Sequence, residues 1–316
     1  MKNPQVGNSE RRRIDKAVRR LLADLKGLEP PLRLDDVRGQ LKLDLGYYSS
    51  KEPGLVREVI HSLKVAGKEL LSSKTFLGSM IDKLGLRAMF FWDQSRILID
   101  QELHPIKHRW AQGHEIGHKL LFWHKDYLLG DAHEQLSQGC HATIEAEANY
   151  AAGQLLFMQD RFMEEARSMP MSISSLKLLQ NRFENSSTST LWRLVEECAG
   201  PKPVVAIVSE HPHRLPADFD HAAPCRYVIE SPKFREQFSS TTELRLFELL
   251  TSICNRKSGG PLGSQEVELK DNNGGRHEFA FESFCYRYKQ PGKENGFQVL
   301  TLGVHCRKLT RTIVAC

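Results

Sequence analysis

Trp110-Ala111-Gln112-Gly113-His114-Glu115-Ile116-Gly117-His118 contains H-E-x-x-H. On a helix, residues four apart leave the same face one turn apart, so His114 and His118 point together. Two neutral imidazoles at that separation can hold one Zn²⁺ at about 2.0–2.1 Å each. Glu115 falls beside them, where it can take the proton of a zinc-bound water. A catalytic zinc needs a third protein ligand and an open fourth position. Ile144-Glu145-Ala146-Glu147-Ala148-Asn149 offers two carboxylates on a second helical stretch. Spacing alone leaves Glu145 and Glu147 both open.

The competing reading is a surface helix with two solvated histidines. Trp110, Ile116, Leu120, Leu121 and Phe122 make the segment apolar enough for burial. Gly117 leaves room for a close neighbour between the two histidines. Ala148, Ala151, Ala152 and Gly153 give the second segment small residues suited to tight helix–helix contact.

H-E-I-G-H at 114–118, followed by E-x-E-A-N-x-x-A-x-x-L-L at 145–156, resembles the ImmA/IrrE family of metallopeptidases. The resemblance implies a zincin-like, gluzincin-type fold and a zinc metalloendopeptidase. It also implies cleavage of a cognate helix-turn-helix repressor, relieving repression after DNA damage, stress or phage attack. It puts the third zinc ligand at Glu145, with Glu147 as second choice. Gly113 and Leu156-Phe157-Met158 depart from the family's usual residues without touching the ligands. The match is strongest over about residues 85–160.

The chain has 316 residues and a formal net charge of +5. That length suffices for two or three domains. The mild basic balance permits nucleic-acid contact without requiring it. No run of eighteen apolar residues offers a membrane span. Met1-Lys2-Asn3-Pro4 leads to Arg11-Arg12-Arg13 without the apolar core of a signal peptide. The seven cysteines are scattered, with no C-x-x-C pair, as expected of reduced thiols in a cytoplasm.

The fold class expected is α+β. A zincin-like domain spans 1–167, a helix-turn-helix-like segment 168–200, and a C-terminal α+β sensor domain 201–316. The last is loosely similar to the GAF-like domains that family members can carry. Residues 9–27 read as an amphipathic helix, with Ile14, Val18, Leu21, Leu22 and Leu25 on one face and a basic solvated face elsewhere. A short helix at 35–40 precedes a strand at 41–48, where Leu41, Leu43 and Leu45 alternate with polar residues. Glu52–Ser73 and Phe76–Leu84 read as helices. Arg87–Trp92 and Arg96–Asp100 form a hairpin, and its sheet edge borders the cleft in zincins. The metal-bearing helix follows at 106–123.

The second metal helix is expected to run unbroken from Glu145 to Arg167. Helix, polar turn and helix follow over Ser172–Ala199, with Ser172 or Ser174 capping the first helix and Ser187 or Thr188 the second. Its outward residues would be Ser187, Thr190, Arg193, Glu196 and Glu197, a poor set for reading bases. Gly200-Pro201-Lys202-Pro203 reads as a domain boundary. Beyond it come strands at 204–208, 227–229, 265–270, 277–288 and 296–304, a helix at 243–254, and a glycine-rich turn at 259–263.

A peptidase also needs a donor for its oxyanion, and His124, Tyr127, His133 and Tyr150 are the candidates. Cys140, five residues before Glu145, is a candidate regulatory zinc ligand through its thiolate, weighed against a small buried cysteine. Single-stranded DNA is the candidate activator, given the basic balance. Two other readings compete: a DNA-binding regulator with a non-catalytic zinc, and an antitoxin-like binding module.

Overall fold

Ile14, Val18 and Leu21 recur at helical spacing, and Asn8–Asp24 is a helix, α1, that buries these three against the rest of its unit. The computed structural model describes residues 6–25, 27–49, 88–91, 94–103, 105–125, 138–288 and 296–309. The helices expected at 52–73 and 76–84 lie outside the described residues. The chain divides into two compact units. One comprises Met1–Gln159 with Phe183–Asn185, and the other Asp160–Arg182 with Ser186–Cys316. Among the described residues, no helix is long and apolar enough to cross a membrane.

In the first unit, α2 (Leu34–Leu41) ends where Lys42 turns left-handed at φ 51. Strand β1 therefore begins at Asp44 and ends at Tyr48, three residues later than the leucine alternation suggested. Leu41 is the last residue of α2, and Gly46 and Tyr48 are the buried strand positions. Strands β2 (Ala88–Phe91) and β3 (Arg96–Asp100) form the expected antiparallel hairpin, with Ala88 opposite Ile99 and Phe91 opposite Arg96. β1 pairs with β3 in parallel, giving the order β1-β3-β2.

Helix α3 (Pro105–Leu120) packs against β2, β3 and α4 (Gln138–Leu156). Helix α1 lies on α4 as well. The second metal helix is not continuous to Arg167. Met158 and Gln159 adopt left-handed φ of 53° and 46°, and their amides turn back to Leu155 and Gln154 carbonyls at 3.0 Å. This satisfies the last carbonyls of α4 and ends the helix without glycine or proline.

The second unit begins with α5 (Asp160–Arg167), α6 (Ile173–Phe183, its last residue grouped with the first unit) and α7 (Ser187–Cys198). Ser172 caps α6 through the amide of Ser175 at 3.1 Å. The cap of α7 is Ser186, one residue before those expected, accepting from Ser189 at 3.1 Å. Thr190 and Arg193 are buried, and Arg193 is spent on Glu197. The outward face expected for reading DNA is therefore not available at these positions.

Strands β4 (Val204–Glu210) and β5 (Cys225–Glu230) are followed by α8 (Pro232–Gln237), a helix not anticipated, and α9 (Glu243–Ile253). β6 (Gly260–Lys270), β7 (Arg276–Tyr288) and β8 (Gly296–Leu309) complete an antiparallel sheet of order β5-β4-β8-β7-β6. The glycines at 259–263 do not make an isolated turn. From Gly260 the chain is already paired in β6, with a bulge between Pro261 and Gly263. Gly200–Pro203 lies inside this unit. Val205, Ile207, Phe234, Phe279 and Leu250 share its apolar core.

Candidate metal centre

α3 and α4 approach closely because both carry small residues where they meet. A Cβ at Gly117 would stand 2.8 Å from the Ala148 carbonyl oxygen, and one at Gly113 would stand 2.9 Å from a Leu156 methyl. The glycines let the two backbones come near enough for side chains from both helices to share one point.

At that point His114 Nε2 and His118 Nε2 lie 3.1 Å apart. Glu145 brings Oε2 to 3.2 Å from His114 Nε2 and Oε1 to 3.5 Å from His118 Nε2. Four ligands about 2.0–2.1 Å from a zinc ion in tetrahedral geometry are separated by roughly 3.3 Å. The three donor atoms thus already stand at the edge lengths of a zinc tetrahedron. Two imidazoles and one carboxylate are a donor set suited to zinc, with a fourth position left for chemistry. Among the described residues this is the one cluster of three His, Cys, Asp or Glu whose donors converge this way.

The electrostatics follow from burial. Glu145 is held well below the usual carboxylate range: burial opposes its charge, but hydrogen bonds from both imidazoles outweigh that. For His114, burial works against protonation, while Glu145 and Glu115 together raise its pKa above the ordinary value. Glu115 is buried. Burial pushes its pKa up to about 7, with His114 opposing and Glu145 reinforcing the rise. A carboxyl poised near neutrality is matched to taking and returning a proton.

Glu147 does not join the cluster. It accepts from Trp123 Nε1 at 2.7 Å and lies 3.0 Å from His124 Nε2. The helix separates the two carboxylates by direction: Glu145 and Asn149 share one face, and Asn149 Oδ1 meets His114 Nδ1 at 3.1 Å. Sequence reasoning passed over Asn149, although its spacing of four from Glu145 was the available signal.

The oxyanion candidates fare differently. His124 is fully buried and its ring spans His118 Nδ1 and Glu147, so it backs the site instead of facing a substrate. Burial holds its pKa well below the ordinary imidazole value, against the pull of Glu147. The Tyr150 hydroxyl donates to Asp15 at 3.0 Å, under the Arg11 guanidinium. Tyr127 and His133 lie outside the described residues, as does the side chain of Cys140 within α4.

Residues 79–195 match the IrrE N-terminal-like domain of the Peptidase M78 family. The radiation response metalloprotease IrrE of Deinococcus radiodurans is 30% identical over 132 residues, covering 40% of this chain and 39% of that protein. Its counterpart from Deinococcus deserti is 31% identical over 106 residues, covering 33% and 37%. The chain thus spans less than half the length of these relatives. A Mycobacterium tuberculosis transcriptional regulator shares the fold at a TM-score of 0.51 and 12% identity, over 93% of this chain and 76% of that one. With the H-E-x-x-H helix and its partner helix inside the matched segment, residues 79–195 of this chain carry an IrrE N-terminal-like domain of the Peptidase M78 family.

Proposed function

We propose that this chain is a zinc-dependent metalloendopeptidase that cuts a cognate helix-turn-helix repressor and so releases a stress, DNA-damage or phage-defence operon in the cytoplasm. The observation that carries the reading is the meeting of His114, His118 and Glu145 donor atoms at 3.1–3.5 Å beside the buried Glu115.

His114, His118 and Glu145 are the residues that would hold the ion. When bound, zinc supplies Lewis-acid polarisation of the scissile carbonyl and a nucleophile at neutral pH. The chain supplies the rest. Glu115, buried beside the three ligands, accepts a proton as the nucleophile attacks and returns it to the leaving amine. Asn149 and His124 hold the two imidazoles so that each presents Nε2 forward. Ile116, Ala148 and Ala151, next in sequence or across from Gly117 in the same helix pair, are fully buried.

The C-terminal unit is proposed as a GAF-like sensor, and its five-stranded antiparallel sheet agrees with that reading. Single-stranded DNA is the proposed activator. The DNA-binding alternative loses support because Thr190 and Arg193 are buried.

The test is intact-mass analysis of the helix-turn-helix protein encoded beside this chain, incubated with it, with and without single-stranded DNA. One new pair of fragments, absent with Glu115→Gln, is the expected result. A stable stoichiometric complex with no new termini in a zinc-loaded sample would replace the peptidase with a binding module.

A further inference from the structure

His114 and His118 are held from behind by different means. His114 Nδ1 meets the side-chain oxygen of the exposed Asn149. His118 Nδ1 meets a second imidazole, His124 Nδ1, at 3.0 Å. Behind that imidazole, His124 Nε2 lies 3.0 Å from Glu147 Oε2. Trp123 Nε1 donates to the same oxygen at 2.7 Å.

We propose that Trp123, His124 and Glu147 are positioning residues of the metal centre: a buried carboxylate acts through one imidazole to fix the tautomer and aim of the next. The proposal rests on the reading that His114, His118 and Glu145 hold zinc.

When His118 ligates the ion, the protons along this chain have one arrangement that satisfies every contact. An ionised carboxylate only accepts, so the proton between Glu147 and His124 sits on His124 Nε2. A neutral imidazole carries one proton, so His124 Nδ1 has a lone pair and accepts. The proton between the two Nδ1 atoms therefore belongs to His118. That leaves His118 Nε2 with a bare lone pair, aimed at the point where Glu145 and His114 Nε2 converge. The opposite tautomer would aim an N–H at the cation. Carboxylate support of a ligating histidine is ordinarily direct; here it passes through a second ring.

Burial gives the arrangement its force. His124 is 0% exposed, His118 5% and Glu147 6%. Water has little access to replace a lost partner, and a buried polar group left unsatisfied is costly. The Trp123 indole fixes the carboxylate, while the Arg13 guanidinium lies 4.3 Å from the centre of that indole ring, tying the far end of the relay to α1.

The experiment measures zinc affinity of the full chain by competition with a chromophoric chelator. It compares wild type with His124→Phe, Glu147→Gln, Trp123→Phe and Val18→Ala. Glu147→Gln is nearly isosteric and keeps the fold. Val18→Ala opens the α1 core without touching the relay. His124→Phe and Glu147→Gln should each weaken zinc binding about 10- to 100-fold, Trp123→Phe by less, and Val18→Ala not at all. In the zinc-loaded protein, ¹⁵N–¹H spectra should show the His118 Nδ1 proton hydrogen-bonded and slow to exchange in wild type and Val18→Ala, and fast to exchange in His124→Phe.

Unchanged affinity in both His124→Phe and Glu147→Gln would overturn the proposal. So would an equal loss in Val18→Ala, which would make stability the cause. If wild type binds no zinc, the metal-centre reading itself fails, an outcome distinct from either.

Discussion

Replacing Glu115 with Gln should favour the folded metal-free protein more at pH 8 than at pH 5. Burial raises the Glu115 pKa from an ordinary 4.5 to about 7. The unfolded chain gives up this proton near pH 4.5, while the folded chain keeps it until near 7. Between those values the unfolded state binds fewer protons, so stability falls as pH rises. Above pH 7 the penalty is complete. At about 1.4 kcal/mol per tenfold change in proton affinity, it amounts to about 3 kcal/mol. Glutamine cannot ionise and escapes the penalty. The assay is urea unfolding of chelator-stripped protein at pH 5 and pH 8, read by hydrogen exchange in peptides covering 105–120 and 142–156. Any cost of the amide itself is present at both pH values and cancels in the difference. About 0.8 kcal/mol of the penalty is already present at pH 5, so the gap between variant and wild type should widen by about 2.5 kcal/mol from pH 5 to pH 8. An equal gap at both pH values would mean that Glu115 ionises in the folded protein as it does in the unfolded chain. With zinc bound, the cation would favour the carboxylate and the widening should shrink.

Gly117→Ala forces a methyl to 2.8 Å from the Ala148 carbonyl oxygen; parting the helices should cost about 1–3 kcal/mol and weaken zinc retention, and intact affinity in a chelator titration would contradict the close-contact argument. Chelation should lower the melting temperature, because zinc held at 100 times its Kd adds about 2.7 kcal/mol; the loss should appear in hydrogen exchange of α3 and α4 and not in β6–β8. Among the described cysteines, Cys306 is exposed while Cys254 and Cys285 are buried, and burial pushes the Cys225 thiol up to about 12. Brief alkylation at pH 8 should therefore modify Cys306 before Cys225, Cys254 and Cys285, as peptide mass spectrometry would show.

His114, Glu115 and His118 were legible because the helical period alone groups them. Glu145 against Glu147 was not, because two residues along a helix rotate a side chain by about half a turn, and only the seat of α4 on α3 says which half faces the histidines. His124 carried no signal of its role. Its contact with Glu147 spans 23 residues and that of Trp123 with the same carboxylate spans 24, distances no local pattern reports. The end of α4 at Met158 and Gln159 was hidden for a related reason: neither residue type favours left-handed backbone, and backbone hydrogen bonds at the site hold them there. The strand β6 was hidden by its own glycines, which read as a turn although the chain through them is paired.

The two glycine notches on α3 also act as a key. Gly117 receives Ala148 and Ala151, and Gly113 receives Leu156. Sliding α4 by one turn, about 5.4 Å, would bring Glu147 or Leu155 to the place of Ala151 against Gly117, where the backbones leave no room. The same slip would carry Asn149 or residue 141 to the place of Glu145. The helix pair can close in a single axial setting, and in that setting alone a carboxylate meets both imidazoles. The metal centre is written into the chain twice: once as ligands, and again as the small residues that fix where along the helix those ligands stop.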